Sequence, residues 1–163
     1  MGVPDIKMMR IDERLIHGQG QMWLSALGCN LVIVADDEAS KSKIQQTLMK
    51  TVVPSSIGMR FFSIAKTYEV IHKAAPHQKI FIVCKNTDSA LQLIEGGVPV
   101  KEINLGNIHK KDGSEMVTRS IYLTETDKEN LKELRDQYGM KFNTRTTPIG
   151  GDGAAEVDVN KYL

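Results

Sequence analysis

From Arg10 to Gln21 the chain reads Arg-Ile-Asp-Glu-Arg-Leu-Ile-His-Gly-Gln-Gly-Gln, the densest group of reactive side chains in the sequence. Arg10 and Arg14 are permanently charged planar forks that match the oxygens of a phosphoryl group. Gly18 and Gly20 flank Gln19 and let backbone approach an anion closely. A helix starting just beyond would aim its unpaired N–H groups at that anion. His17 adds a nucleophile, because a neutral imidazole carries a lone pair near physiological pH and can attack phosphorus. The same residues also suit a solvated charged loop in which His17 only makes a local hydrogen bond. Co-location favours the reactive reading: cations, a titratable nucleophile and flexible backbone sit together.

Other candidates are poorer. His72 and His77 are five apart with Pro76 between them, so they share no helical face for a metal. His109 follows Gly106-Asn107-Ile108 and could border the site. Asp36-Asp37 ends a strand and invites comparison with the acidic pair of a receiver domain, yet no Asp ends the next strand, where a phosphoacceptor would stand. Gly150-Gly151-Asp152-Gly153 follows no strand-to-helix pattern, and the chain has no Gly-Lys-Ser/Thr phosphate loop. A phosphoryl donor other than ATP is therefore expected.

The elements that position these residues follow from periodicity. Short apolar runs at Ile6 to Ile11, Leu31 to Ala35, Met59 to Ser63, Ile80 to Cys84, Glu102 to Leu105, Ile121 to Leu123 and Met140 to Thr144 read as strands. Leu31-Val32-Ile33-Val34-Ala35 is continuous and rich in β-branched residues, as in a strand covered on both faces. Helices are expected from Gly20 to Leu27, through Ile44, Leu48 and Thr51 up to Pro54, through Val70, Ile71 and Ala74 up to Pro76, and from Thr87 or Asp88 to Gly96-Gly97. A last helix carries Leu131, Leu134 and Tyr138, opening at Thr126-Asp127-Lys128-Glu129 as a capping box and closing at Gly139. His109 to Thr118 reads as a long loop or irregular hairpin. This alternation predicts an α/β fold, a mostly parallel sheet with helices on both faces, as one domain over residues 1–163. Such sheets bind ligands beyond the C-terminal ends of their strands, where the Arg10–Gln21 loop falls.

Composition narrows the function classes. With 163 residues, Lys plus Arg 21 against Asp plus Glu 20, and 25% charged residues, the chain is neither basic enough to imply a nucleic-acid partner nor polar enough to be disordered. No apolar run approaches bilayer length, so no membrane insertion is expected. Met1 to Asp5 lacks a basic region followed by an apolar stretch, so no secretory signal is expected. Cys29 and Cys84 are single, far apart and set in apolar sequence. They read as buried small hydrophobes in a reducing cytoplasm.

The segment Arg10-Ile11-Asp12-Glu13-Arg14-Leu15-Ile16-His17-Gly18-Gln19 closely resembles the phosphorylation loop of IIB components of the bacterial sugar phosphotransferase system, mannose/fructose/sorbose family. Val32 to Asp37, Leu48 to Lys50, Glu95 to Pro99 and Ile103 to Asn107 resemble further family segments. The resemblance implies that His17 accepts a phosphoryl group, through Nδ1, from a phosphohistidine on a IIA protein. It passes the group to a sugar held by a IIC/IID membrane permease. Arg10 and Arg14 would hold the phosphoryl oxygens, with Gly18, Gln19 and neighbouring amides completing the cradle. Asp12 would orient one of the arginines. No metal or cofactor is implied, and the expected location is cytoplasmic. Residues 18–23, 54–57, 60–64 and 142–148 look most like the N-acetylgalactosamine/galactosamine branch. The alternatives are an anion-binding or regulatory module of the same fold, and a nucleotide-dependent transferase, which the missing phosphate loop disfavours.

Overall fold

Strand β1 (Asp5–Asp12) runs through the middle of the sheet and delivers the Arg10–Gln21 loop at its C-terminal end. A computed structural model describes residues 3–18, 20–148 and 156–163. Chain order continues with α1 (Gly20–Leu27), β2 (Leu31–Ala35), α2 (Lys43–Lys50), β3 (Gly58–Phe62), α3 (Ile64–Val70), β4 (Lys79–Cys84) and α4 (Thr87–Glu95). Then come β5 (Glu102–Asn107), β6 (Glu115–Thr118), β7 (Ile121–Leu123), α5 (Glu125–Tyr138) and β8 (Lys141–Asn143). The main sheet has the order β3-β2-β4-β1-β5-β8, and every pairing in it is parallel. The α/β expectation is met.

Alternation along the strands sorts the core into two layers. Val32, Val34, Phe81 and Val83 face Trp23 and Leu24 of α1 and Met49 of α2. Leu31, Ile33, Ile80, Ile82, Met9 and Ile11 face the other way, toward Ile64 of α3, Leu93 of α4, and Leu131 and Leu134 of α5. Helices thus cover both faces. Cys29 and Cys84 are buried, and burial pushes both thiols upward, Cys29 to about 11, so neither is a ready nucleophile.

Several local expectations shift. Ile121–Leu123 does not join the main sheet; it pairs antiparallel with Glu115–Thr118 across the turn Arg119-Ser120. So short a connection permits only an antiparallel hairpin, because a parallel crossover takes about a dozen residues. The capping box of α5 sits earlier, at Thr124 and Asp127, whose side chains and amides bond reciprocally. Asn86 caps α4 by accepting from the Ser89 amide at 2.8 Å. On α2, Ile44 and Leu48 are 77% and 63% exposed, so the apolar residues at helical spacing there point to solvent while Met49 turns inward. Tyr138 is half-exposed, unlike Leu131 and Leu134 on the same helix.

Candidate functional site

The turn after β1 is built by Asp12. Its backbone carbonyl accepts from the Leu15 amide at 2.8 Å, and its Oδ1 accepts from the Arg14 amide at 2.9 Å. Closing so tight a turn puts Leu15 at φ 58, in the left-handed region that a leucine adopts only at a cost of about 1–3 kcal/mol. Packing offsets the strain, since Leu15 and Ile16 are both buried in the layer under α1. The loop is therefore pinned by two apolar side chains. His17 follows directly, with its side chain 21% exposed at the rim.

Asp12 is also the hub of the charges. Its side chain is fully buried. Oδ2 receives His17 Nε2 at 2.8 Å, Asn107 Nδ2 at 2.9 Å and Arg10 Nη2 at 3.3 Å. Arg14 Nε lies 3.7 Å from Oδ1. Burial alone would raise the carboxyl pKa. The hydrogen bond from His17, the charge of Arg10, the Arg14 amide and the Asn107 side chain outweigh it and hold Asp12 below its ordinary value of 3.8. At neutral pH an ionised carboxylate therefore sits behind the imidazole.

The two arginines are placed differently. Arg14 is half-exposed, its side chain 44% accessible beside His17's carboxylate partner. Arg10 is only 3% exposed and lies beneath the site. Burial pushes its pKa down while Asp12 opposes that shift; a guanidinium stays charged regardless. Its fork is taken up by Asn104 Oδ1 and Asp12 Oδ2. Beside it lies Trp23, with the Cζ atoms of Arg10 and of Arg145 each 6.0 Å from the ring centroid. Asn104 reaches Arg145 as well, donating to its carbonyl at 2.9 Å.

Gly18 is exposed, and a Cβ added there would meet nothing within 4 Å, so space does not demand glycine at that position. Gln19 and the Gly150–Gly153 tract lie outside the described residues. His109 does border the site: its Nδ1 is 2.9 Å from Glu13 Oε2, and Lys111 pairs with the other oxygen of Glu13. His72 bonds the Gly97 carbonyl at 3.1 Å, away from this cluster. Asp36 and Asp37 are turn and cap residues, accepting from the Ala39 and Ile64 amides.

Sequence reading placed Asp12 against an arginine and missed its contact with His17. It also passed over Asn104 and Asn107. Two carboxamides flank Leu105-Gly106 at the end of a strand, a pattern that marks polar groups there but does not say that Asn107 faces Asp12.

The family model described as PTS system sorbose subfamily IIB component matches residues 6–161. The chain belongs to this family of phosphotransferase-system IIB components. Among IIB relatives, the N-acetylgalactosamine-specific phosphotransferase enzyme IIB component 1 of Escherichia coli is 42% identical over 91% of this chain and 94% of its own length. A sorbose-specific EIIB component of Lacticaseibacillus casei is 27% identical over 94% and 95%. A crystal structure of a PTS-dependent N-acetyl-galactosamine-IIB component from Streptococcus pyogenes superposes with a TM-score of 0.95 at 55% identity, covering all of both chains. PTS IIB components are phosphotransferases that deliver phosphate to a sugar, working with IIA and a membrane permease.

Proposed function

We propose that this IIB component carries its phosphoryl group on Nδ1 of His17. The observation that supports this most is the 2.8 Å contact between His17 Nε2 and the buried, ionised Asp12. A carboxylate at Nε2 keeps the proton there, so the lone pair lies on Nδ1.

The Nδ1 lone pair attacks phosphorus, the N–P bond of the donor's phosphohistidine breaks, and its electron pair returns to the donor ring. His17 becomes an imidazolium that still holds the Nε2 proton, and Asp12 neutralises the new charge. In the second half a sugar hydroxyl oxygen attacks phosphorus and gives its proton to water. The N–P bond breaks and its pair returns to Nδ1, regenerating neutral His17. Retaining the proton on Nε2 keeps the phosphoryl group labile, because a cationic ring is the better leaving group. Arg14 stabilises the equatorial oxygens of a loose transition state, each charge-assisted bond contributing about 1.5–3 kcal/mol. Arg10 acts from beneath, fixing Asp12, rather than gripping phosphate. Neither a metal nor a cofactor enters the scheme.

The donor is a phosphorylated IIA protein. The acceptor is N-acetylgalactosamine or galactosamine on a IIC/IID permease, which places the chain at the cytoplasmic side. Higher identity to the N-acetylgalactosamine-specific relatives than to the sorbose-specific one supports that sugar class. No helix among the described residues is long and apolar enough to cross a membrane, which suits a carrier shuttling between partners.

The test is to mix the protein with a phosphorylated IIA of an N-acetylgalactosamine system and follow an acid-labile, base-stable label. Labelling of wild type but not of His17→Ala, with passage to N-acetylgalactosamine in permease vesicles, is expected. Labelling by ATP alone would contradict the assignment.

A further inference from the structure

Arg10 and Asp12 lie two apart on β1, so their side chains leave the same face of the strand. Asn104 and Asn107 are three apart on β5, and in an unbroken strand they would point to opposite faces. The pairing resolves the mismatch. Arg10 stands opposite Asn104, Ile11 opposite Leu105 and Asp12 opposite Asn107, so the ladder skips Gly106. One extra residue in a strand re-aims the side chain that follows it. Asn104 consequently meets Arg10, and Asn107 donates to Asp12 at 2.9 Å. A Cβ on the skipped residue would lie 2.4 Å from Arg10 Cζ, so glycine there leaves the buried guanidinium its place.

We propose that this bulge is a positioning device for phosphoryl transfer, with Asn107 as the positioning residue that holds the Asp12 carboxylate against Nε2 of His17. The proposal rests on the reading that His17 carries the phosphoryl group. Asp12 Oδ2 serves His17, Asn107 and Arg10 together, while Oδ1 serves the Arg14 amide. With the carboxamide in place the carboxylate plane is set from both oxygens. Without it, Oδ2 keeps only His17 and Arg10, the carboxylate tilts toward the Arg10 guanidinium about its Oδ1 anchor on the Arg14 amide, and the hydrogen bond to Nε2–H loosens. The imidazole then samples both neutral tautomers, and the one with its proton on Nδ1 cannot attack. The Asn107 carbonyl separately accepts from the Glu13 amide at 2.9 Å. Changing the side chain leaves that main-chain anchor of the loop intact.

Asn107→Ala and Asn107→Leu, which remove the donor with less and with more bulk, test this. Two quantities are read: the single-turnover rate of phosphorylation by phosphorylated IIA, and the ring 15N shifts of His17 across neutral pH. Groups that orient metal-bound histidines through hydrogen bonds typically matter by about tenfold or more, and by the same logic a slowing of that size is expected in both variants. It should come with native circular dichroism and a change from a single Nε2–H tautomer to a mixture. A wild-type rate in either variant would overturn the proposal. So would a slow rate with unchanged ring nitrogens, or loss of the fold in both variants, which would make Asn107 structural. Failure of the wild type to be labelled at His17 would instead overturn the site reading, and the 15N shifts would still decide whether Asn107 sets the tautomer.

Discussion

His17 Nε2 and Asp12 Oδ2 are 2.8 Å apart, and the carboxylate in that pair has no contact with solvent. An exposed acid would lose most of its hold on the ring to water. A buried one, ionised by its neighbours, keeps the imidazole oriented and stabilises the charge it gains. Asp12→Asn should therefore slow phosphorylation by about tenfold or more. It should also destabilise the protein by about 3 kcal/mol or more, because Arg10 would be left buried without its counter-charge. Urea unfolding and single-turnover labelling check the two effects separately.

The same carboxylate sets a pH dependence. Its folded-state pKa lies below the ordinary 3.8, so its contribution to stability is complete above the unfolded-state value and is lost as pH falls through the lower, folded-state value. Urea midpoints measured from neutral pH down to strong acid should fall more steeply in wild type than in Asp12→Asn. Parallel curves would show that Asp12 carries no such linkage.

The arginines should separate by readout. Arg14 is half-exposed, so Arg14→Ala should change stability by no more than about 1 kcal/mol. Loss of a transition-state charge contact should nevertheless slow transfer by about tenfold or more. Arg10→Ala removes a buried partner of Asp12 and should cost about 3–5 kcal/mol of stability. Unchanged kinetics in Arg14→Ala would remove that residue from the mechanism.

Much of this was legible in the sequence for physical reasons that can be named. Leu31–Ala35 is buried on both faces, and its unbroken apolar run marks both ends of β2 correctly. His17, Asp12 and Arg14 are close in sequence, so one tight turn brings them together and local reading finds them. Arg10 was legible as a partner of Asp12 but its depth was not, since that depends on Asn104, Gly106 and Trp23 arriving from other elements. Asn107 was illegible for a similar reason: strand alternation puts it on the wrong face, and only the pairing partner reveals the skipped glycine. On α2, spacing alone could not say which side of the helix met the sheet, and the apolar pair Ile44 and Leu48 faces outward.

Glycine 106 offers a packing test. Gly106→Ala sets a methyl against the Arg10 guanidinium, and overpacking of this kind typically costs about 1–3 kcal/mol. Gly18→Ala, where a Cβ meets nothing, should leave stability unchanged. Thermal melts of the two variants make the comparison.

Trp23 is the chain's one tryptophan and lies beside Arg10. Its emission should change when His17 is phosphorylated, and the change should be absent in His17→Ala. By contrast, His72→Ala and His77→Ala should leave labelling at the wild-type rate, and loss of activity in either would mean the site has been misplaced.

The most direct measurement is the nitrogen–phosphorus bond itself. Protein labelled with 15N in its histidine rings, phosphorylated by IIA and examined by NMR in alkaline buffer, should show phosphorus coupling at Nδ1 of His17 alone. Coupling at Nε2, or at any other histidine, would contradict the assignment.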